Sequence, residues 1–244
     1  MYHKKSPIYP LELFNDLLNV SNINENSKIL EIGTNNSLAT LPLFLKGINV
    51  TSVDITPSNQ PTINKKQIQF KNLSYNEIQS HNDCFDLIYI TKPIYINQEK
   101  NFFDKTYDLL NFNGKLAIIE IKQSIIPENN DLNILEKQLL IEFFNYTEDM
   151  VRNRILLDTQ LEIKHNFNIL HHKVYYKKVT YTINDYKFYL KSFPEFEQLE
   201  TNKQQYIFEK INQVALKICP KGNINKEYAF VITILEKANT LNLN

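Results

Sequence analysis

Residues 28–54 read KILEIGTNNSLATLPLFLKGINVTSVD, and the remainder of the chain can be placed around them. Lys28 to Ile32 is an apolar, β-type run that stops at Gly33. Leu38 to Lys46 carries apolar residues at helical spacing, with Pro42 tolerable in the first turn and Gly47 supplying the stop. Asn49 to Ile55 is a second apolar run, with an acid, Asp54, at its end. Strand, glycine turn, helix and strand in that order are the first crossover of a parallel sheet, and such crossovers are right-handed.

Working outward, Leu11 to Val20 (LELFNDLLNV) is a short amphipathic helix behind Pro7 and Pro10, and Ser21 to Ser27 is a polar linker. Thr56 to Lys66 holds Pro57 and Pro61 and predicts an irregular or very short helix. Ile68 to Leu73 and Phe85 to Ile90 are strands three and four, with a polar segment from Ser74 to Asp83 between them. Gln98 to Asn111 has helical spacing, Asn113-Gly114 is a turn, and Lys115 to Ile121 is strand five. Two amphipathic helices, Leu132 to Asn145 and Asp149 to Leu161, follow. Phe167 to Ile183 is a long β-branched and aromatic run, read as an antiparallel strand or hairpin. Helices over Asn184 to Phe193 and Lys203 to Leu216 precede a last strand, Tyr228 to Leu235.

The fold class this implies is α/β: a doubly wound, seven-stranded, mostly parallel sheet with a helical cap inserted between strands five and six. No linker or repeat divides the chain. It is read as one domain, 1–244, with an N-terminal helix in 1–27 and a ligand-binding core in 28–121. A cap in 122–166 and closing strands and helices in 167–244 complete it.

Composition narrows the class of partner. Lys and Arg number 27 against 27 Asp and Glu, so bulk electrostatics does not point to nucleic acid or a membrane surface. No apolar run reaches spanning length, and MYHKKSPIYP has no apolar signal core, which predicts a cytoplasmic protein. The two cysteines, Cys84 and Cys219, suggest neither a disulfide framework nor a metal site. With 4 glycines in 244 residues, Asn must stand at several turns where glycine is usual, because Asn tolerates the left-handed region better than most residues.

In doubly wound sheets, ligands bind beyond the carboxyl ends of the strands where strand order reverses. Gly33 ends strand one, where backbone approaches a ligand closely. Asp54 ends strand two about 20 residues on, where a carboxylate can accept both ribose hydroxyls. A plain strand-turn-helix with a solvated acid is the competing explanation. Pyrophosphate is disfavoured, because the second and third glycines of GxGxxG are here Asn35 and Leu38. No GK[ST] exists, so a P-loop is excluded. S-adenosylmethionine, with ribose and adenine but no phosphate, suits the loop better.

From these residues the chain resembles class I S-adenosylmethionine-dependent methyltransferases. KILEIGTNNSLATLPLFLKGINVTSVDIT resembles their first motif, hhDhGxGxGxxTxxLxxxGxxVxGhDxS. NLSYNEIQSHNDCFDLIYI and FFDKTYDLLNFNGKLAII are similar to the motifs that follow. SPIYPLELFNDLL and YTINDYKFYLKSFPEF resemble the opening and late segments of the trans-aconitate methyltransferase-like group (methyltransferase type 11). The resemblance implies the following cofactor-binding residues. Glu31 would orient the loop and meet the methionine amino group. Gly33, Thr34 and Asn35 would line the methionine moiety. Asp54 would hold the ribose diol and Ile55 would pack on adenine. Ser74 falls where the family often has an Asp facing the adenine amino group, followed by Tyr75. Ile90 and Thr91 would lie under the methionine and the acceptor. Asn35 and Ser37 replace family glycines, Ser74 replaces the acid, and Ser6 stands where the opening motif has Arg. Losing that acid forfeits a charge-assisted hydrogen bond, roughly 1.5–3 kcal/mol.

Other residues carry weaker signals. Adjacent His171 and His172 on a strand point to opposite faces, so with His165 they make no metal site. Tyr9 is placed to close over the cofactor. Tyr175-Tyr176 and Phe188-Tyr189 read as core on one side, with one face of each available to an acceptor pocket. Methyl transfer is a displacement at a sulfonium methyl and asks chiefly for alignment in a dry site, so no catalytic residue is assigned. The expected function is transfer to a small molecule, such as a carboxylate or other acidic acceptor, held under the Lys122 to Tyr189 cap. The alternatives are a non-catalytic methyltransferase-like interaction module and an oxidoreductase on a dinucleotide fold.

Overall fold

A computed structural model of the chain describes residues 7–33, 38–54, 68–78, 85–91, 96, 101–124, 130–148, 151, 166–191, 194–218 and 222–238. Helix α1 is Leu11–Val20, β1 is Ile29–Ile32, α2 is Thr40–Leu45, β2 is Val50–Asp54 and β3 is Ile68–Ser74. After a 3-10 turn at Tyr75–Glu77 come β4 Phe85–Ile90, α3 Phe102–Leu109, β5 Leu110–Ser124 and α4 Asn130–Phe144. The chain continues through β6 Phe167–Thr182, α5 Ile183–Lys191, α6 Pro194–Glu197, α7 Thr201–Ile218 and β7 Asn223–Lys237.

The strands make one sheet in the order β3-β2-β1-β4-β5-β7-β6. Parallel ladders join β1 to β2 and β4, β2 to β3, and β4 to β5. Strand order therefore runs one way from β1 through β2 to β3 and the other way from β1 through β4 to β5. The reversal between β1 and β4 is where a doubly wound sheet opens a crevice for ligand. Continuous apolar strands fit this setting, since both faces are covered: all four residues of β1 are buried. One face of the central strands contributes Leu30, Ile32, Ile88, Ile90, Leu116 and Ile118 to a core completed by Phe102, Phe103 and Leu109 of α3.

By contact the chain divides into two compact units whose sequences interleave. One holds Tyr9–Glu120, Leu161–Tyr175 and Phe230–Asn244; the other holds Met1–Ile8, Ile121–Gln160 and Tyr176–Ala229. Three of the unit boundaries fall inside β5, β6 and β7, so continuous strands hide them from a sequence reading that looks for linkers.

Helix ends follow local chemistry. After α2, Gly47 (φ 77) donates to Phe44 O (2.9 Å) and Ile48 to Leu43 O (3.1 Å), the paired bonds of a Schellman stop. After α1 the same pair is made by Asn22 (φ 54) to Asn19 O and Ile23 to Leu18 O. Asn145, just beyond α4, has φ 55. Asparagine thus fills left-handed positions, as the shortage of glycine required.

Of the two alternatives for Phe167 to Ile183, strand or hairpin, the structure has the strand, unbroken from Phe167 to Thr182. Two readings need correction. The helix expected over Gln98 to Asn111 is shorter, because β5 begins at Leu110. Asn113-Gly114 does not separate helix from strand. It lies within β5, in a bulge where the partner register passes from Phe85 opposite Leu110 to Leu87 opposite Lys115. The segments around Pro57 and Pro61, most of the Asp149 to Leu161 helix, Cys84, Cys219 and His165 lie outside the described residues.

Candidate active site at the β1–β4 switch

The site is built where β1, β2 and β4 end together. Gly33 has φ 83, a conformation that a side chain would strain. Its N–H donates to Val53 O at the end of β2 (3.0 Å), and its carbonyl accepts the Thr91 hydroxyl from the end of β4 (2.9 Å). The Thr91 N–H also reaches Ile32 O (3.4 Å). The turn is therefore pinned from both neighbouring strands before any ligand arrives.

One level below, Glu31 stands in register with Ser52 on β2 and Tyr89 on β4. The carboxylate is 1 % exposed, and its Oε2 accepts both Ser52 Oγ (2.7 Å) and Thr40 Oγ1 (2.5 Å). Ser52 and Thr40 are themselves buried. Tyr89 is fully buried, and its phenol is held well above its ordinary pKa by burial first and by the Glu31 carboxylate second. The Tyr9 phenol is raised for the same two reasons. Both phenols stay neutral beside the carboxylate.

At the adjoining strand ends, Asp54 and Ser74 are partners across β2 and β3, beyond a register shift after Ser52. Of these two residues the structure describes the backbone. Thr34, Asn35 and Ile55 lie outside the described residues. The structure thus brings Glu31, Gly33, Asp54, Ser74, Ile90 and Thr91 to the carboxyl ends of four adjacent strands. The Ile90 side chain points into the core. Tyr75 is 1 % exposed and its hydroxyl is bonded to Thr106 (2.8 Å), so its side chain belongs to the core and only its backbone is near the strand ends. Tyr9 is also a core residue, edge-on to Phe14 and Phe230.

Thr40, Ser52 and Tyr89 escaped the sequence reading. Ser52 and Tyr89 occupy strands that read as simply apolar, and only register shows that they flank Glu31. A polar residue in a fully buried strand was the available signal.

His171 and His172 do face opposite ways: His171 Nε2 lies 3.8 Å from Asp16, and His172 Nδ1 is bonded to Thr233 Oγ1 (2.9 Å). No cluster fit to hold a metal ion exists among the described residues. Away from the switch, a cleft of about 450 Å³ between the Asn22–Ser27 linker and Asp86, Asn111 and Lys115 borders the amino ends of β1 and β4. Its Asp86 carboxylate is already taken by Lys28 N (2.7 Å) and the Asn111 amide.

In the other unit, Tyr181, Tyr186, Tyr189 and Tyr228 pack ring on ring, with centroids 5.6–6.3 Å apart. Lys226, 1 % exposed, donates to Glu136 Oε1 (2.6 Å), which also receives the Tyr186 hydroxyl; Gln123 donates to Glu136 Oε2 (2.9 Å). Tyr181, Tyr186 and Tyr228 are buried, and Tyr189 is half-buried against their rings. Phe188 and Tyr176 are exposed.

No family model matches this sequence, and no curated protein matches it in sequence. Solved structures do match in fold. A candidate type II methyltransferase from Anaeromyxobacter dehalogenans aligns over 95 % of this chain and 97 % of its own, at 13 % identity and a TM-score of 0.66. A candidate methyltransferase from an antibiotic biosynthesis pathway of Anabaena variabilis covers 94 % and 99 %, at 11 % identity and 0.55. Coclaurine N-methyltransferase, solved with N-methylheliamine and SAH, covers 93 % and 71 %, at 14 % identity and 0.51. At such identities the likeness is one of fold. The chain has the α/β fold of class I S-adenosylmethionine-dependent methyltransferases. Nothing in these matches singles out the trans-aconitate methyltransferase-like group. Among the described residues no helix is long and apolar enough to cross a membrane.

Proposed function

We propose that the protein is an S-adenosylmethionine-dependent methyltransferase acting on a small molecule, with a carboxylate or other acidic group as acceptor. The observation that carries this reading is the pinned turn at Gly33, set at the reversal of strand order with Asp54 and Ser74 opposite one another beside it. The arrangement fits a nucleoside cofactor that lacks phosphate. Backbone can approach ligand at Gly33, a carboxylate-bearing residue ends β2 for a ribose diol, and no glycine-rich cradle for pyrophosphate follows.

In this reading Gly33, Thr34 and Asn35 line the methionine, Asp54 binds the ribose and Ile55 packs on adenine. Ser74 and the backbone of Tyr75 lie beyond the ribose, Glu31 faces the amino group, and Ile90 and Thr91 form the floor. Asn35 is tolerable in place of glycine in a chain that already holds Asn22 and Asn145 at positive φ. The cofactor supplies a methyl group on a positively charged sulfur. The protein's share is to hold donor and acceptor in line and exclude water, and an acidic acceptor, ionised at neutral pH, needs no base from the chain.

Calorimetric titration with S-adenosylmethionine, S-adenosylhomocysteine and NADH tests the reading. Micromolar binding of the first two, abolished in Asp54→Ala, is the expected result. No binding of either at millimolar concentration would overturn it in favour of a non-catalytic interaction module. NADH binding alone would point to an oxidoreductase.

A further inference from the structure

We infer that Thr40 and Ser52 are positioning residues for the amino-acid end of the cofactor, acting through Glu31. The assignment rests on the reading that the first crossover holds S-adenosylmethionine. A carboxylate that is 1 % exposed must be hydrogen-bonded to persist in ionised form, and its geometry is set by its donors. Here the Thr40 and Ser52 hydroxyls converge on the same oxygen, Oε2, at 2.5 and 2.7 Å. One comes from the first residue of α2 and the other from the middle of β2, so the elements that follow and flank the Gly33 turn both fix the plane of the carboxylate.

Hydroxyls are neutral donors, so they orient the carboxylate without cancelling its charge. Tyr9 and Tyr89, kept neutral nearby, do not cancel it either. Glu31 lies two residues before Gly33, about 7 Å along the strand. The group of the ligand that complements this charge is its ammonium. The adenosine end is served by other residues, Asp54 and Ser74 on β2 and β3. Loosening Glu31 should therefore weaken ligands that carry the amino-acid end and spare ligands that lack it.

The experiment compares S-adenosylhomocysteine with 5′-methylthioadenosine, which has the nucleoside and thioether but no amino acid. Both are titrated calorimetrically into wild type, Thr40→Val, Thr40→Ser and Ser52→Ala, with thermal melts run beside them. Thr40→Val and Ser52→Ala should each weaken S-adenosylhomocysteine by about tenfold while methylthioadenosine binding holds, and Thr40→Ser should restore the wild-type ratio. Equal weakening of both ligands, or no change in either, would overturn the assignment and leave the hydroxyls a purely structural role. If Thr40→Val does not fold, Ser52→Ala and Thr40→Ser decide the matter by the same ratio. A wild-type protein that binds neither ligand would remove the cofactor reading, and this assignment with it.

Discussion

Tyr89 and Lys226 are buried polar residues with opposite expected responses to substitution. The Tyr89 hydroxyl is wholly buried; Thr40 and Glu31 lie beside it, but neither is placed for a well-formed hydrogen bond. Tyr89→Phe removes a group that lost its water on folding and gained little in exchange, so the variant should be as stable as wild type or up to about 1 kcal/mol more so. The urea midpoint reads this directly. Lys226 and Glu136 are instead an ion pair reinforced by Tyr186 and Gln123. The lysine is the deeper member, with a side chain 1 % exposed against 14 % for the glutamate. Glu136→Ala leaves a buried ammonium and should cost about 3–5 kcal/mol, whereas Lys226→Met leaves a carboxylate that keeps two other donors and should cost less. Equal losses in the two melts would show that burial depth does not set the cost. At this scale the placing of Gly33 and Asp54 at strand ends was legible in the sequence, because both sit at ends of apolar runs, and Glu31 stood out as the one charge inside β1. Their supporting hydroxyls were not, since Thr40 is an unremarkable helix residue until register and packing bring it to Glu31.

Among the elements, α1 matched its sequence reading from Leu11 to Val20, because proline before it and a polar stop after it bound an amphipathic run. The β5 region was harder. Asn-Gly is a strong turn signal, and here it is met inside a strand: Asn111 Oδ1 accepts the Asn113 N–H in a local turn, and the ladder resumes at Lys115. Gly114 is required for a reason that sequence does not show. A Cβ there would stand 2.7 Å from the Phe85 carbonyl oxygen, which is backbone and cannot swing away. Gly114→Ala should destabilise by about 1–3 kcal/mol, visible as a lower melting temperature, and should act by displacing β4 from β5. Local signals gave the turn its location; the neighbouring strand determined how it was used.

For the molecule as a whole, the α/β class and parallel pairing were legible because buried parallel strands read as unbroken apolar runs. The interleaved units were not, because three of their boundaries fall in mid-strand. Long-range polar links show the same separation in sequence. Asp16 on α1 accepts Lys173 Nζ (2.6 Å) and the Tyr175 hydroxyl from β6, and these bonds, the lysine's first, lower its pKa. A lowered carboxylate pKa means that the link stabilises the fold above the unfolded value, about 3.9, and is lost as pH falls through the folded value. Asp16→Asn should therefore be less stable than wild type from pH 5 to 8, with the two converging in acid. A gap that widened below pH 4 would contradict the assignment. The position of β7 also bears on the birth of the protein. It follows β6 in the chain, yet it lies between β5 and β6, so β6 emerges with this sheet neighbour still unmade. The β5-β7-β6 part of the sheet must wait for Asn223–Lys237 to be made, and a nascent chain stalled before Asn223 would present the β7-facing edge of β6 unpaired to chaperones and to other chains.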